Sequence, residues 1–208
     1  TVQVETAANA GVPRHLTVFD DTLIFEASAG KGEELYRTTG SGATLVDDIN
    51  PGSNALPEAL TVHDGSLYFL ANDGDGGDLY RLDSATGTPA KVKDLAPSTV
   101  ENEVGEEIAV VDGELYFAAE ADDGKGTELW KSDGTRAGTV RVADLDSGPG
   151  NSGPEQLTVF DGQLYFRADN GSSDDELFVS DGTPAGTKIL KDINEGGSSS
   201  SLTALTAF

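Results

Sequence analysis

Apolar and polar residues alternate along this chain with a period of two, in short runs separated by turn-forming residues. Leu157 and Val159 alternate with Thr158 and Phe160, then Asp161 and Gly162 intervene, and Leu164 and Phe166 alternate with Tyr165. A period of two marks a strand with one buried face. An Asp-Gly pair between two such runs predicts a hairpin, because a type I′ turn needs positive φ at both central residues. The same arrangement occurs at Asp64-Gly65 and Asp112-Gly113, and Asp20-Asp21 stands in its place once. Nowhere does a 3.6-residue apolar stripe long enough for a helix appear. The pattern predicts an all-β protein.

The runs recur in a fixed order. LTVFD from Leu16 returns as LTVHD from Leu60, IAVVD from Ile108 and LTVFD from Leu157, at steps of about 44, 48 and 49 residues. ELY at Glu34 returns as DLY from Asp78, ELW from Glu128 and ELF from Glu176. A third block closes each unit: DDI ending at Ile49, KDL at Leu95, ADL at Leu145 and KDI at Ile193. Each unit is therefore expected to hold four strands: a (LTVF), b (LYF), c (the ELW-like block) and d, typified by TVRVADL from Thr139 to Leu145. Between units run Gly, Pro, Ser and Asn, as in DSGPGNSGP, the composition of a surface crossover.

Four antiparallel strands in about 40 to 50 residues match one β-propeller blade, and a blade alone cannot bury both of its faces. The expected fold is an all-β propeller of about four complete four-stranded blades. It is read as a single repeat domain over 1–208, with units near 13–56, 57–104, 105–153 and 154–200. TVQV within 1–5 resembles strand d and LTAF within 202–208 resembles strand a, so both ends are read as partial strands.

Composition narrows the class of partner. The chain carries 37 acidic and 13 basic residues, a formal net charge of -24. Such a field disfavours nucleic acid and anionic membrane, and favours bound cations and high salt. No cysteine is present, which removes disulfides, thiolate metal sites and cysteine nucleophiles. No run approaches the 18 or more apolar residues of a membrane-spanning helix, so no membrane insertion is expected. The start TVQVETAANAG has neither the basic flank nor the apolar stretch of a secretory signal, so any such signal is expected to lie outside this sequence.

The segments ELWKSDGTRAGTVRVADL (Glu128 to Leu145) and ELFVSDGTPAGTKILKDI (Glu176 to Ile193) follow LTVFDGxLYF-like hairpins. They resemble the bacterial ELWxxDGT repeat proteins, and the likeness covers nearly the whole chain. In the first two units Tyr36 and Tyr80 replace the Trp, and TTGSGAT and LDSATGTPA replace the DGTxAGT turn. The resemblance implies a part of a large secreted or surface-attached protein and supplies neither catalytic residues nor a ligand.

Candidate chemistry is sparse. His15 and His63 belong to no HExxH or HxH spacing, and no GxSxG elbow, P-loop or dinucleotide fingerprint occurs. The acidic b–c loops are the metal candidates, with Asp73, Asp75, Asp78, Asp122, Asp123, Glu128, Asp169 and Asp174 as oxygen donors for calcium. Asp and Gly are also plain turn formers. The aromatic following the head of strand c (Tyr36, Tyr80, Trp130, Phe178) is either blade core or a sugar-stacking surface. The DGT segments, Asp133, Gly134 and Thr135 and their counterparts Asp181, Gly182 and Thr183, are read as structural turns. The chain is expected to be a non-catalytic extracellular module for adhesion or recognition of a protein or glycan, or a spacer in a large surface protein. A subunit that self-associates through its end strands, and a hydrolase using clustered carboxylates, are the alternatives.

Overall fold

The computed structural model describes residues 12–28, 30–95, 107–171, 175–191, 193–194, 200, 202 and 204–206. The partial strand expected at 1–5 lies outside the described residues, and the described part of 202–208 is not strand. Among the described residues the secondary structure is strand alone, in four antiparallel four-stranded sheets, with no helix.

Each sheet runs in sequence order. The first is β1 (Arg14–Phe19), β2 (Thr22–Ser28), β3 (Glu33–Thr38) and β4 (Thr44–Asp47); the second is β5 (Glu58–His63), β6 (Ser66–Asn72), β7 (Gly77–Leu82) and β8 (Ala90–Lys93). The third is β9 (Ala109–Val111), β10 (Glu114–Ala119), β11 (Glu128–Ser132) and β12 (Val140–Arg141). The fourth is β13 (Glu155–Phe160), β14 (Gln163–Asp169), β15 (Asp175–Ser180) and β16 (Lys188–Lys191). Strands a to d of every repeat are these four strands. The chain forms two compact units, Thr1–Asn102 with the first two sheets and Glu103–Phe208 with the last two.

The hairpin turns have the expected backbone. Asp64, Asp112 and Asp161 have φ of 44°, 49° and 50°, and the glycines after them are also positive. Asp20 and Asp21, at 47° and 55°, make the same turn without glycine. Strand a holds a feature that alternation did not reveal. His15, Ala59 and Gln156 also have positive φ, and the ladder slips there, between Arg14 and Thr17, Glu58 and Thr61, and Glu155 and Thr158. These are β-bulges, which bend and twist a strand. The Thr of the LTV block serves the bulge: Thr61 and Thr158 donate their hydroxyls to the carbonyls of Ala59 and Gln156 at 2.9 and 3.0 Å.

Each unit buries its core between its two sheets. In the first, Phe19, Ile24 and Leu35 pack with Leu67, Phe69 and Tyr80. In the second, Val111, Tyr116, Leu129 and Val142 pack with Leu164, Phe166 and Phe178. Burying one such side chain contributes roughly 1.5–3 kcal/mol. A sheet standing alone would forgo that term across a whole face.

Candidate functional site

The acid that opens strand c is not a surface residue. Glu34, Asp78 and Glu128 are fully buried, and Glu176 nearly so. Each accepts the backbone N–H of the last residue of its repeat's third block: Ile49 to Glu34 at 3.0 Å, Leu95 to Asp78 at 3.0 Å, Leu145 to Glu128 at 2.8 Å and Ile193 to Glu176 at 3.2 Å. Glu34 also accepts from the Asn50 amide at 3.3 Å, Glu128 from the Ser152 hydroxyl at 2.8 Å, and Glu176 from the Ser200 hydroxyl. This carboxylate latch fastens the chain leaving strand d onto the start of strand c. Burial raises the carboxyl of Glu34 to about 7 and of Asp78 to about 6, against the amide bonds that pull them down, and raises Glu128 in the same way.

The linker then passes between two sheets. Ala55 donates its N–H to the Glu33 carbonyl at 2.9 Å and accepts from the Asn72 amide of the following sheet at 2.8 Å. Ser152 does the same in the second unit, with the Thr127 carbonyl at 3.0 Å and the Asp169 amide at 2.8 Å. Asn54 and Asn151 accept the N–H of Glu33 and Thr127 at 3.0 and 2.9 Å. A side chain at Gly32 or Gly126 would overlap the linker carbonyl of Ser53 or Gly150. Glycine before the ELW block therefore makes room for the linker.

The b–c loops bring together some of the expected metal ligands and separate others. Asp73, Asp75 and Asp78 converge, each with an oxygen within 4.8 Å of the others, the one such group of three among the described residues. Their centre holds an ammonium: Lys91 Nζ lies 2.6 Å from both Asp73 and Asp78, and 3.9 Å from Asp75. Asp123 pairs instead with Arg141, Asp122 is exposed, and Glu128 faces inward as a latch. Asp169 accepts the Gly171 amide at 2.7 Å, and Asp174 lies outside the described residues. Lys91 and Arg141 occupy equivalent places, opposite Tyr80 and Trp130, where the other two sheets have Leu45 and Ile189. Where strand d supplies a cation, the loop supplies an aspartate. The loops of the second and third sheets are thus ion-paired within their own sheet, and Glu128, expected as a loop oxygen donor, lies buried in the latch.

Tyr36, Tyr80, Trp130 and Phe178 are all buried. Phe25 stacks on Tyr36, Phe69 on Tyr80 and Phe166 on Phe178, with ring centroids 6.3, 5.5 and 5.4 Å apart. These rings lie buried in the sheet faces. The DGT segments are self-contained turns. Asp133 accepts both the amide and the hydroxyl of Thr135, at 2.9 and 2.7 Å, which holds its carboxyl below the usual range. Thr135 in turn accepts the Gly138 amide at 3.0 Å, and Ser132 and Thr139 share a bond of 2.7 Å. Asp181, Thr183, Gly186, Ser180 and Thr187 repeat these bonds. His15 sits on a bulge with its Nε2 3.4 Å from Glu26.

No protein-family model matches the chain, and no curated protein matches it. Solved structures do. It aligns with the propeller domain of the Trilobed protease from Pyrococcus furiosus at TM-score 0.54 and 14% identity, over 91% of this chain and 56% of that one. A putative TolB from Agrobacterium tumefaciens aligns at 0.54 and 14%, over 90% and 68%, and puromycin hydrolase at 0.55 and 18%, over 89% and 33%. The fold is that of a β-propeller. Each sheet is then a blade, with strand a first and strand d last in blade order. The chain spans 56% of the Pyrococcus propeller domain and a third of puromycin hydrolase. The carboxylate latch was legible in part: an acid always opens strand c, and the DI or DL block always follows it 15 or 17 residues later. The recurrence was visible; that the two touch was not.

Proposed function

We propose that this chain is a non-catalytic β-propeller module of about four blades, of the ELWxxDGT repeat kind, that presents its loops for recognition of a protein or glycan at the cell surface or outside the cell. The observation that carries this reading is the use of the recurrent polar residues. The latch acids, the linker asparagines, the DGT turns and the loop aspartates of blades two and three all bind neighbouring parts of the same unit. What repeats is scaffold, and what varies between repeats is the exposed loop surface, where recognition sites are placed on rigid frames. A glycan array and a binding screen against surface-protein extracts test it at high protein concentration and physiological salt. Saturable binding to one ligand class supports recognition. Silence in both leaves the spacer role, and turnover of any glycan or peptide in the screen would overturn the reading.

Calcium would have to displace Lys91 from the loop of the second blade. Titration with calcium at fixed ionic strength is expected to leave the melting temperature unchanged. A rise that magnesium does not reproduce would mean that the ion wins that place.

A further inference from the structure

Asparagine is thermolabile, and its fate is set by the backbone nitrogen of the residue after it. Where that nitrogen reaches the side-chain carbonyl carbon, a ring closes and ammonia is lost. Several asparagines of this chain are placed against that reaction. Asn50 precedes proline, whose nitrogen carries no hydrogen. Asn54 and Asn151 precede Ala55 and Ser152, which are buried and donate their N–H to the carbonyls of Glu33 and Thr127 at 2.9 and 3.0 Å. Their own side-chain oxygens are held by the Glu33 and Thr127 amides. The Asn72 side chain accepts the Gly74 and Gly76 amides at 2.7 and 3.4 Å. Asn170 differs: it is the one asparagine in the sequence that is followed by glycine. Gly171 is exposed, at φ +84°, and donates its N–H to Asp169 Oδ1 at 2.7 Å. The nitrogen is thus held by a side chain that can rotate away, and glycine brings no Cβ to crowd its approach to Asn170.

We propose that Asn170 is a site of spontaneous deamidation in the folded protein, and that the product loosens the linker held by the fourth blade. The Gly171 nitrogen gives its proton to hydroxide and attacks Cγ of Asn170. The bond from Cγ to the side-chain nitrogen breaks, and that nitrogen takes a proton from water and leaves as ammonia. Water then opens the resulting cyclic imide at either carbonyl, giving aspartate or isoaspartate. Isoaspartate lengthens the main chain directly after Asp169, whose amide donates to the Ser152 carbonyl of the linker at 2.8 Å. Either product adds a carboxylate beside Gly171, where a Cβ would lie 2.5 Å from Asp146 Oδ1. Asp146 belongs to the same linker, so like charges are brought together where the loop and the linker meet.

The full chain is aged at neutral pH in water enriched in heavy oxygen, both folded and unfolded in urea, and its peptides are followed by mass spectrometry. In the folded chain Asn170 is expected to exchange its side-chain nitrogen for solvent oxygen at least tenfold faster than Asn54 or Asn151. Urea should speed Asn151 at least tenfold, because unfolding releases the Ser152 amide, and should change Asn170 less than threefold. In the aged folded protein the Asp169 amide should exchange its hydrogen at least tenfold faster than in fresh protein, and Asn170→Gln should keep it at the fresh rate. An Asn170 that stays intact while folded and converts only in urea would overturn the proposal. So would Asn54 or Asn151 keeping pace with it in the folded chain, or an Asp169 amide as protected after conversion as before.

Discussion

At the scale of single residues, two positions show how local chemistry and burial divide the work. Asp21 holds the second place of a type I′ turn at φ 55°, where the other three hairpins have glycine. A left-handed backbone costs a residue with a Cβ about 1–2 kcal/mol, less for aspartate, and glycine loses part of the gain through greater freedom in the unfolded chain. Asp21→Gly is therefore expected to stabilise by about 0.5 kcal/mol, read as a higher urea midpoint with an unchanged slope. Glu128 is the opposite case. Removing its side chain leaves the Leu145 amide without its acceptor, while the Ser152 hydroxyl keeps only the Thr127 carbonyl at 3.0 Å. Glu128→Ala should cost about 2–4 kcal/mol, while Asp122→Ala, six residues earlier and exposed, should stay within about 0.5 kcal/mol. Equal effects in a denaturant titration would mean that the acid is not a latch.

At the scale of elements, the c–d turn of one blade is fitted to the blade before it. Gly182 has φ +80°, and a Cβ there would overlap the hydroxyl of Tyr116, which itself donates to Glu114 at 3.2 Å. In the first unit the equivalent fit is polar: Arg37 donates to the Ala85 carbonyl at 2.9 Å and Asp20 accepts the Ala85 amide at 3.2 Å. Gly182→Ala is expected to destabilise by about 1–3 kcal/mol through backbone strain and overlap. Tyr116→Phe should recover part of that loss in the Gly182→Ala background and cost stability in the natural one. Additive effects in that double-mutant cycle would show that the two residues do not meet.

At the scale of the whole molecule, charge and buried acids act together on stability. Glu34 and Asp78 ionise near 7 and 6 when folded, against ordinary values of 4.5 and 3.8. A carboxyl raised by folding binds its proton more tightly in the native state. Its contribution is complete below the unfolded value and is lost as pH rises through the folded one. Thermal unfolding of the first unit should thus occur at higher temperature near pH 5 than near pH 8. Glu34→Gln with Asp78→Asn should flatten that slope. Added sodium chloride should raise the melting temperature of both proteins near pH 8, because it screens the net charge of -24 whichever acids are buried. A slope that survives both substitutions would place the linked protons elsewhere.

The sequence by itself determined the strands, their hairpins and their fourfold recurrence. Alternation, the Asp-Gly turn and the self-bonded DGT turn are local, and residues within a few positions of one another satisfy them. It did not determine which acids are buried, because Glu34 and Asp75 differ in nothing that composition can register. Nor did it show the bulges at His15, Ala59 and Gln156, since a positive φ at an ordinary residue is imposed by pairing across a ladder. Only the tertiary structure decided that the loop aspartates answer Lys91 and Arg141, that the strand c acids grip the outgoing chain, and that the recurrent aromatics are core. Each of those depends on which surfaces meet when strands form a sheet and sheets stack, and that is a property of contacts distant along the chain.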